Sequence, residues 1–315
     1  MLTFLVRRFA ATVVTLLAVS LLVFSALLAI PGDPAQVLLG FDASPSALAA
    51  LRSELGLDRP VLERYLDWIG GIARGDLGSS LIYQRPVAAL ISERLGVSVP
   101  LAIASAILAA LIAVPVGIAA ARSRGRPWDP LLTSLAQIGA AVPSFWLGLM
   151  LILVFAVERS WLPAAGFPSW SRDPFGSTRA LVLPVLALGL GQAAVMTRMV
   201  RAMMIEALSA DYVRTARAKG VKQRLVTYHH AFRNALVPLT TVFGLSLGNV
   251  FIGSIVIEQV FALPGLGRLA LTAIGTRDLP LIQGEVLLYA SVIVVLGLLV
   301  DLAYVLIDPR IRFET

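Results

Sequence analysis

The 315 residues include no cysteine, two histidines and two lysines, and only 14% of them are charged. Without cysteine there are no disulfides, no thiol redox chemistry and no thiolate metal ligands. The histidines, His229 and His230, are chain neighbours. Adjacent helical side chains do not converge on one ion, so no metal centre is expected. Neither an HExxH pair nor a Walker A glycine-lysine loop occurs, so no zinc-hydrolase or nucleotide-binding centre is expected. No internal repeat, polar tail or low-complexity linker breaks the chain.

What is present is apolar. The hydrophobic fraction is 58% and the mean hydropathy +0.85. Soluble domains lie near about 45–50% apolar and about 25% charged, so this is the composition of an integral membrane protein. Six stretches meet the ~20 apolar residues that a bilayer crossing needs. They are 9–32, 95–121, 130–157, 180–197, 234–257 and 286–307. The first five hold no charged residue, and the sixth holds only Asp301. The first run is longer than a signal-peptide core and "AIPGDP" is a poor cleavage site, so it reads as an uncleaved helix.

A net charge of +7 raises nucleic acid as a partner, but the positions of the charges argue for membrane topology instead. One set of connecting segments carries 15 basic and 5 acidic residues, the other 11 basic and 13 acidic. By the positive-inside rule the first set, with both termini, is cytoplasmic. Nucleic acid drops out. The expected organisation is a first span within 1–32, an extracytoplasmic helical cap at 33–94, a five-helix core at 95–307 and a cytoplasmic tail at 308–315.

In the cap, "SPSALAALRSELG" reads as a helix with Ser44 as N-cap, Pro45 next, a stripe of Leu48, Leu51 and Leu55, and Gly56 as stop. "RPVLERYLDWIGG" and "RPVAALISERLG" repeat the pattern, opening on proline and closing on glycine, with "GDLGSS" as a turn between them. The loop at 203–238 holds both lysines, Lys219 and Lys222. Ser209 or Asp211 can cap a helix there, Asp211 can pair with Arg214, and Gly220 is the left-handed stop. A second helix follows, with Leu225, Tyr228, Phe232 and Leu236 expected along one face. Two readings fit such a loop: an amphipathic helix lying on anionic headgroups, or a rigid element that docks a soluble partner and moves the spans on either side.

Elsewhere, Asp301 reads as a structural acid paired with Arg198 or Arg201 or snorkelling to the boundary. Alanines and glycines such as Gly117, Gly139, Gly189 and Gly191 suit close helix packing. Asn249, Ser254, Glu258 and Gln259 are the candidate lining residues of a path.

"ADYVRTARAKGV" followed by "HHAFRNALVP" resembles the cytoplasmic coupling loop of binding-protein-dependent ABC transporter permeases of the dipeptide/oligopeptide/nickel branch. "PGDPA", "GDLGSS", "VPSFWLGLMLILVF", "LPAAGF", "LPVLALGL", "VFALPGLGRLALTAIGTRDLP" and the closing "DPRIRF" resemble the same branch, in its order, over nearly the whole chain. Arg214-Thr215-Ala216 stands where wider ABC permeases have Glu-Ala-Ala, a departure this branch shares. The resemblance implies an all-α permease of the type I importer fold with six spans, and no cofactor on this chain. It implies a second, similar permease, two cytoplasmic ATPase subunits that hold ATP and Mg2+, and an extracytoplasmic peptide-binding protein, with this chain multi-pass in the lipid of the bacterial inner membrane. It places the ATPase contact on Asp211, Tyr212, Arg214, Thr215, Ala216, Arg217, Ala218, Lys219, Gly220 and Val221. The substrate implied is a di- or oligopeptide, with nickel, glutathione or a sugar as alternatives. From other classes, a proton-coupled carrier would need ionisable residues near the midplane of the spans, and a membrane enzyme a catalytic pair at a span end.

Overall fold

The computed structural model describes residues 2–29, 33–40, 42–126 and 128–307, and among these there is no β-strand beyond one isolated bridge, Ser79 to Pro86. The tail 308–315 with "DPRIRF", and residues 30–32 at the end of the first apolar run, lie outside the described residues. In order the helices are α1 (Leu2–Ala29), α2 (Pro34–Leu39), α3 (Pro45–Glu54), α4 (Val61–Ala73), α5 (Val87–Arg122), α6 (Trp128–Ala141) and α7 (Ser144–Leu151). There follow α8 (Pro174–Ser209), α9 (Asp211–Ala218), α10 (Gln223–Leu225), α11 (Arg233–Val260), α12 (Leu266–Thr276) and α13 (Leu279–Ile307). π-helical segments, Ile152–Glu158 and Val226–Phe232, extend α7 and join α10 to α11.

Among the described residues, five helical stretches are long and apolar enough to cross a membrane: Val6–Ala29, Val87–Arg122, Pro174–Ser209, Gln223–Val260 and Leu279–Ala303. The sixth apolar run, 130–157, is divided between α6 and α7. Pro143 causes the division. Its own ψ is 134°, and a proline disfavours helical backbone at the residue before it, Val142. Helices α5 and α8 have 36 residues each, about 54 Å at ~1.5 Å per residue. That exceeds the ~30 Å hydrocarbon thickness, so each carries a protruding end.

The chain falls into two compact units, residues 1–97 with 265–294, and residues 98–264 with 295–315. In the first, Ser44 caps α3 by accepting from the Ala47 N–H at 3.3 Å, and Gly56 (φ +64°) ends it. Leu48, Leu51 and Leu55 are half-buried as the stripe predicts, while the rest of α3 is exposed. Helix α4 runs on through Gly70 and Gly71, and the left-handed residue after it is Gly75 (φ +80°). Gly96 is not a stop either. It lies inside α5, so the last predicted cap helix and the second span are one rod. In apolar surroundings the backbone must satisfy its own hydrogen bonds, and a glycine there gives the helix no solvent to fray into.

Tyr65 and Trp68 of α4 meet Phe24 of α1 at ring distances of 5.4 and 5.9 Å, and the Tyr65 hydroxyl is 3.0 Å from Ser20 Oγ. This cluster ties the segment 33–94 to the first span. Arg59 on the same segment bridges Asp67 at 2.6 Å and Glu63 at 3.4 Å, and the hydrogen bond to Asp67 holds its guanidinium above the ordinary arginine range.

In the second unit the small residues do pack helices closely. A Cβ on Gly117 would lie 2.7 Å from Val200 Cβ, and one on Gly189 would lie 3.0 Å from the Ser105 carbonyl oxygen. Gly191, by contrast, faces open space. Helix α8 threads the centre, burying Ala187, Ala193, Met196, Val200 and Met204.

Candidate coupling corner and path residues

Helix α9 is a short helix of 8 residues held by two buried side chains, Val213 and Ala216. They sit in an apolar cluster with Ile118 of α5, Val200 and Met204 of α8, Val226 and Ala231 of the π segment, and Ala235 and Leu239 of α11. Everything else on α9 is exposed, including Asp211, Tyr212, Arg214, Thr215, Arg217 and Ala218. The helix therefore presents a polar outer face, while its inner face sits in a cluster to which three long helices contribute.

Its start differs from the expected one. Neither Ser209 nor Asp211 caps it. Ala210 holds the N-cap position, extended at ψ 151° and with no side-chain bond, and Ser209 Oγ donates back to the Glu206 carbonyl at 2.8 Å. Asp211 lies inside the first turn, where a carboxylate favours the helix dipole, and accepts from Arg214 at 3.3 Å as predicted. Both side chains are exposed, so the pair contributes about 0.3–0.5 kcal/mol.

The end follows the prediction. Lys219 is the C-cap, and Gly220 (φ +74°) donates to the Arg217 carbonyl at 2.9 Å. Val221 donates to the Ala216 carbonyl at 3.2 Å, completing a Schellman motif. A Cβ on Gly220 would meet nothing within 4 Å, so strain from a substitution there is purely backbone strain. Gly220→Val should cost about 1–2 kcal/mol at this corner. It should lower ATP-driven uptake several-fold without loss of membrane insertion, and Gly220→Asn, which tolerates the left-handed region, should be milder. Parallel uptake and expression assays would check both.

The second helix turns another face inward. Leu225 and Tyr228 are exposed, at 54% and 47%, and Phe232 and Leu236 are only half-buried. The buried stripe is Val226, Ala231, Ala235 and Leu239. Its first step is five residues because Val226–Phe232 is π-helical, and a period of 3.6 misplaces the face from that point. From Gln223 to Val260 the chain is continuously helical, so Pro238 is inside a rod rather than at the end of a loop.

The four candidate path residues separate into two pairs. Ser254 and Glu258 are fully buried, and Glu258 Oε1 accepts from Ser98 Oγ at 2.6 Å. Asn249 and Gln259 are exposed, on one helix face with Leu245, Ile252 and Val256. In the same helix, "GLSLG" at 244–248 has the GxSxG form of a hydrolase elbow. Ser246 is mid-helix and its hydroxyl accepts from Gln192 Nε2 at 2.9 Å, so no strand-to-helix elbow exposes it.

Three polar joints were not foreseen. Arg201, expected near Asp301, sends Nε and Nη2 to Asp129 Oδ1 at 3.0 and 2.6 Å. Ser98 meets Glu258 across 160 residues of chain. Asp278, 1% exposed, accepts from Ser80 Oγ at 2.5 Å, from the N–H groups of Leu81 and Ile82 at 3.2 and 3.3 Å, and from the N–H of Leu281 at 3.3 Å. Asp278 is thus the N-cap of α13 and the anchor of the turn after "GDLGSS". Local pattern could show the cap, since Asp278 directly precedes Leu-Pro, but not its partner.

The motif fragments that carried the resemblance meet in space. "GDLGSS" meets "TRDLP" through Asp278, and Gly166 of "LPAAGF" donates to the Phe261 carbonyl of "VFALPG" at 3.1 Å.

The comparisons agree with this. Residues 113–313 match the family model described as binding-protein-dependent transport system inner membrane component, and residues 1–102 match that of its N-terminal region. A putative peptide transport system permease protein of Brucella abortus (strain 2308) is 41% identical over 308 residues, 98% of each chain. The glutathione transport system permease protein GsiC of an Escherichia coli strain is 41% identical over 314 residues, 100% of each. Among solved structures, an inward-facing MetNI methionine ABC transporter has a chain similar at a TM-score of 0.58 and 17% identity, covering 70% of this chain and 96% of that one. At that identity the likeness shows the fold alone. The chain is a multi-pass membrane protein, and it belongs to the binding-protein-dependent transport system inner membrane components, a family of importer permeases.

Proposed function

We propose that this chain is one of two homologous permease subunits in a bacterial inner-membrane importer for di- and oligopeptides, with two ATPase subunits and an extracytoplasmic binding protein. The observation that carries the coupling role is the seat of α9. Its Val213 and Ala216 lie in one apolar cluster with α5, α8 and the 223–260 rod. Interiors packed at crystal-like density transmit displacement and do not absorb it. A push on the outer face of α9 therefore moves three spans together. Asp211, Tyr212, Arg214, Thr215, Arg217, Ala218, Lys219, Gly220 and Val221 form or flank that face, and Ala216 is its inner anchor. ATP and Mg2+ belong to the partner ATPases, whose closure draws the coupling corners of the two permeases together and opens the path outward.

Asn249 and Gln259, on the exposed face of α11, are the path-lining residues. Ser254 and Glu258, buried with Ser98, hold that helix in place. The peptide reading draws on the relative named for peptide transport, and a second reading, glutathione, on the relative named for it at the same identity. Uptake of labelled dipeptide, oligopeptide, glutathione and Ni2+ by the reconstituted complex separates these. Saturable peptide uptake is expected, and nickel uptake alone would overturn the reading.

Both termini, Arg124 and Gly220 face the cytoplasm, while Leu57 and Phe167 face outward, in keeping with the charge asymmetry. Single cysteines introduced into this cysteine-free chain test it with a membrane-impermeant maleimide. Leu57→Cys and Phe167→Cys should label from outside in intact spheroplasts, and Arg124→Cys and Gly220→Cys only after lysis. The reverse pattern would invert the topology and with it the coupling role.

A further inference from the structure

Beside α9 lies a cavity of about 410 Å3, lined by Arg122 and Ser123 at the end of α5, Arg126 in the turn that follows, Leu208 of α8, Arg217 of α9 and Gln223 of α10. Its size falls within the ~300–1,000 Å3 of small-ligand sites. Three arginine residues line it, and no acidic residue is among its lining. Asp129 and Asp211, on adjoining elements, have arginine partners of their own. Asp129 accepts from both Arg201 donors and from the Gly125 N–H, and Asp211 accepts from Arg214. The walls are fixed by backbone hydrogen bonds, from Arg126 to the Ser123 carbonyl on one side and through the Gly220 corner on the other.

We propose that this cavity binds the phosphate of an anionic phospholipid. Three like charges around a concave site repel one another until an anion enters, and arginine matches phosphate oxygens bidentately. The phosphate ester is a chemistry that lipid headgroups and soluble phosphates share, and two features favour the lipid. The arginines stand at the end of the uncharged run 95–121, where a span meets the headgroup layer. A row of exposed apolar residues on α5, Ile103, Ile107, Leu111, Pro115 and Ala119, winds along the helix at four-residue spacing and ends at Arg122. Such a row offers an acyl chain a track whose headgroup end is the cavity. Trp128, 66% exposed and two residues past Arg126, suits the same interfacial depth. Arg217 lines the cavity, whereas Arg214 does not and pairs with Asp211. The site is complete within this chain, and Arg217 is the one residue it shares with the face proposed to receive the ATPase.

The test uses the full-length permease, purified alone, with bound lipid counted by native mass spectrometry after exchange into mixed phosphatidylcholine and phosphatidylglycerol nanodiscs. Wild type should retain phosphatidylglycerol in preference to phosphatidylcholine. Arg122→Gln/Arg126→Gln should lower that retention about tenfold, Arg122→Lys/Arg126→Lys should restore part of it, and Arg214→Gln should leave it unchanged. Equal retention by wild type and the double glutamine variant, with both folded by thermal melt, would overturn the proposal. Displacement of the lipid by millimolar inorganic phosphate would overturn it in favour of a soluble phosphate. Loss of ATPase capture by the double glutamine variant in pure phosphatidylcholine, with wild type capturing normally, would assign the arginines to an acidic surface of the ATPase instead.

Discussion

Val213→Asp is expected to reduce ATP-driven uptake at least tenfold and to return substrate-stimulated ATP hydrolysis to its basal rate, while the protein still inserts in the membrane. Val213 is fully buried among the apolar side chains of Ile118, Val200, Met204 and Ala231. An unpaired carboxylate there costs about 3–5 kcal/mol. Helix α9 has only one other buried residue, Ala216, to hold it. The cheapest relief is to undock the helix, which frees the push-point from the spans. The long apolar helices keep their own sequence, so insertion should survive. Val213→Leu keeps the site apolar, adds one methylene to a tight cluster, and should lose far less. Uptake by reconstituted proteoliposomes, beside ATP hydrolysis with and without substrate, reads both. Near-normal coupled uptake by Val213→Asp would mean that the seat of α9 does not carry the stroke.

Asp278→Ala is expected to have the larger effect on folding. It removes the acceptor for four donors: the Ser80 hydroxyl and the N–H groups of Leu81, Ile82 and Leu281. The hydroxyl can rotate toward another acceptor, but the three backbone donors cannot. Each orphaned donor that stays buried costs about 1–3 kcal/mol, and loss of the α13 N-cap is part of that sum. Because the four share one carboxylate, their costs are not additive. A fall of several kcal/mol is a large part of the ~5–15 kcal/mol that holds a typical fold. The measurable result is a sharply reduced yield of full-length protein and a thermal transition in detergent lowered by ten degrees or more. Asp278→Asn keeps one acceptor oxygen but turns an amide donor toward other donors, so it should fall between the two. A transition for Asp278→Ala within a degree or two of wild type would show that water replaces the carboxylate.

The parts legible in the sequence were those set by local chemistry. Ser44 and Pro45 start a helix, and Gly56 and Gly220 end helices, because caps and left-handed glycines act within a few residues in polar segments. Gly96 has the same look in the sequence but sits in an apolar rod, where continuing the helix satisfies more backbone groups than stopping. Pro143 breaks its helix, whereas Pro100, Pro115, Pro184 and Pro238 sit inside theirs, and sequence alone did not separate these cases. Within 223–239 the buried face starts at Val226 and not Leu225, and the π-helical stretch then shifts every later position around the axis. The joints at Asp278, Glu258 and Arg201 were out of reach for a different reason. Their partners lie 72 to 198 residues away, and no local period encodes such pairings.

The central claim is that the outer face of α9 receives the ATPase and transmits its stroke. Thr215 is exposed on that face, beside the buried anchor Ala216. With no native cysteine to interfere, Thr215→Cys can carry a short photoactivatable cross-linker in the assembled, transport-competent complex. The account predicts a cross-link to the ATPase subunit from this position, a yield that changes between nucleotide-free and ATP-bound states, and no ATPase cross-link from Leu57→Cys. An active complex that gives no ATPase adduct from Thr215→Cys in either state would contradict it.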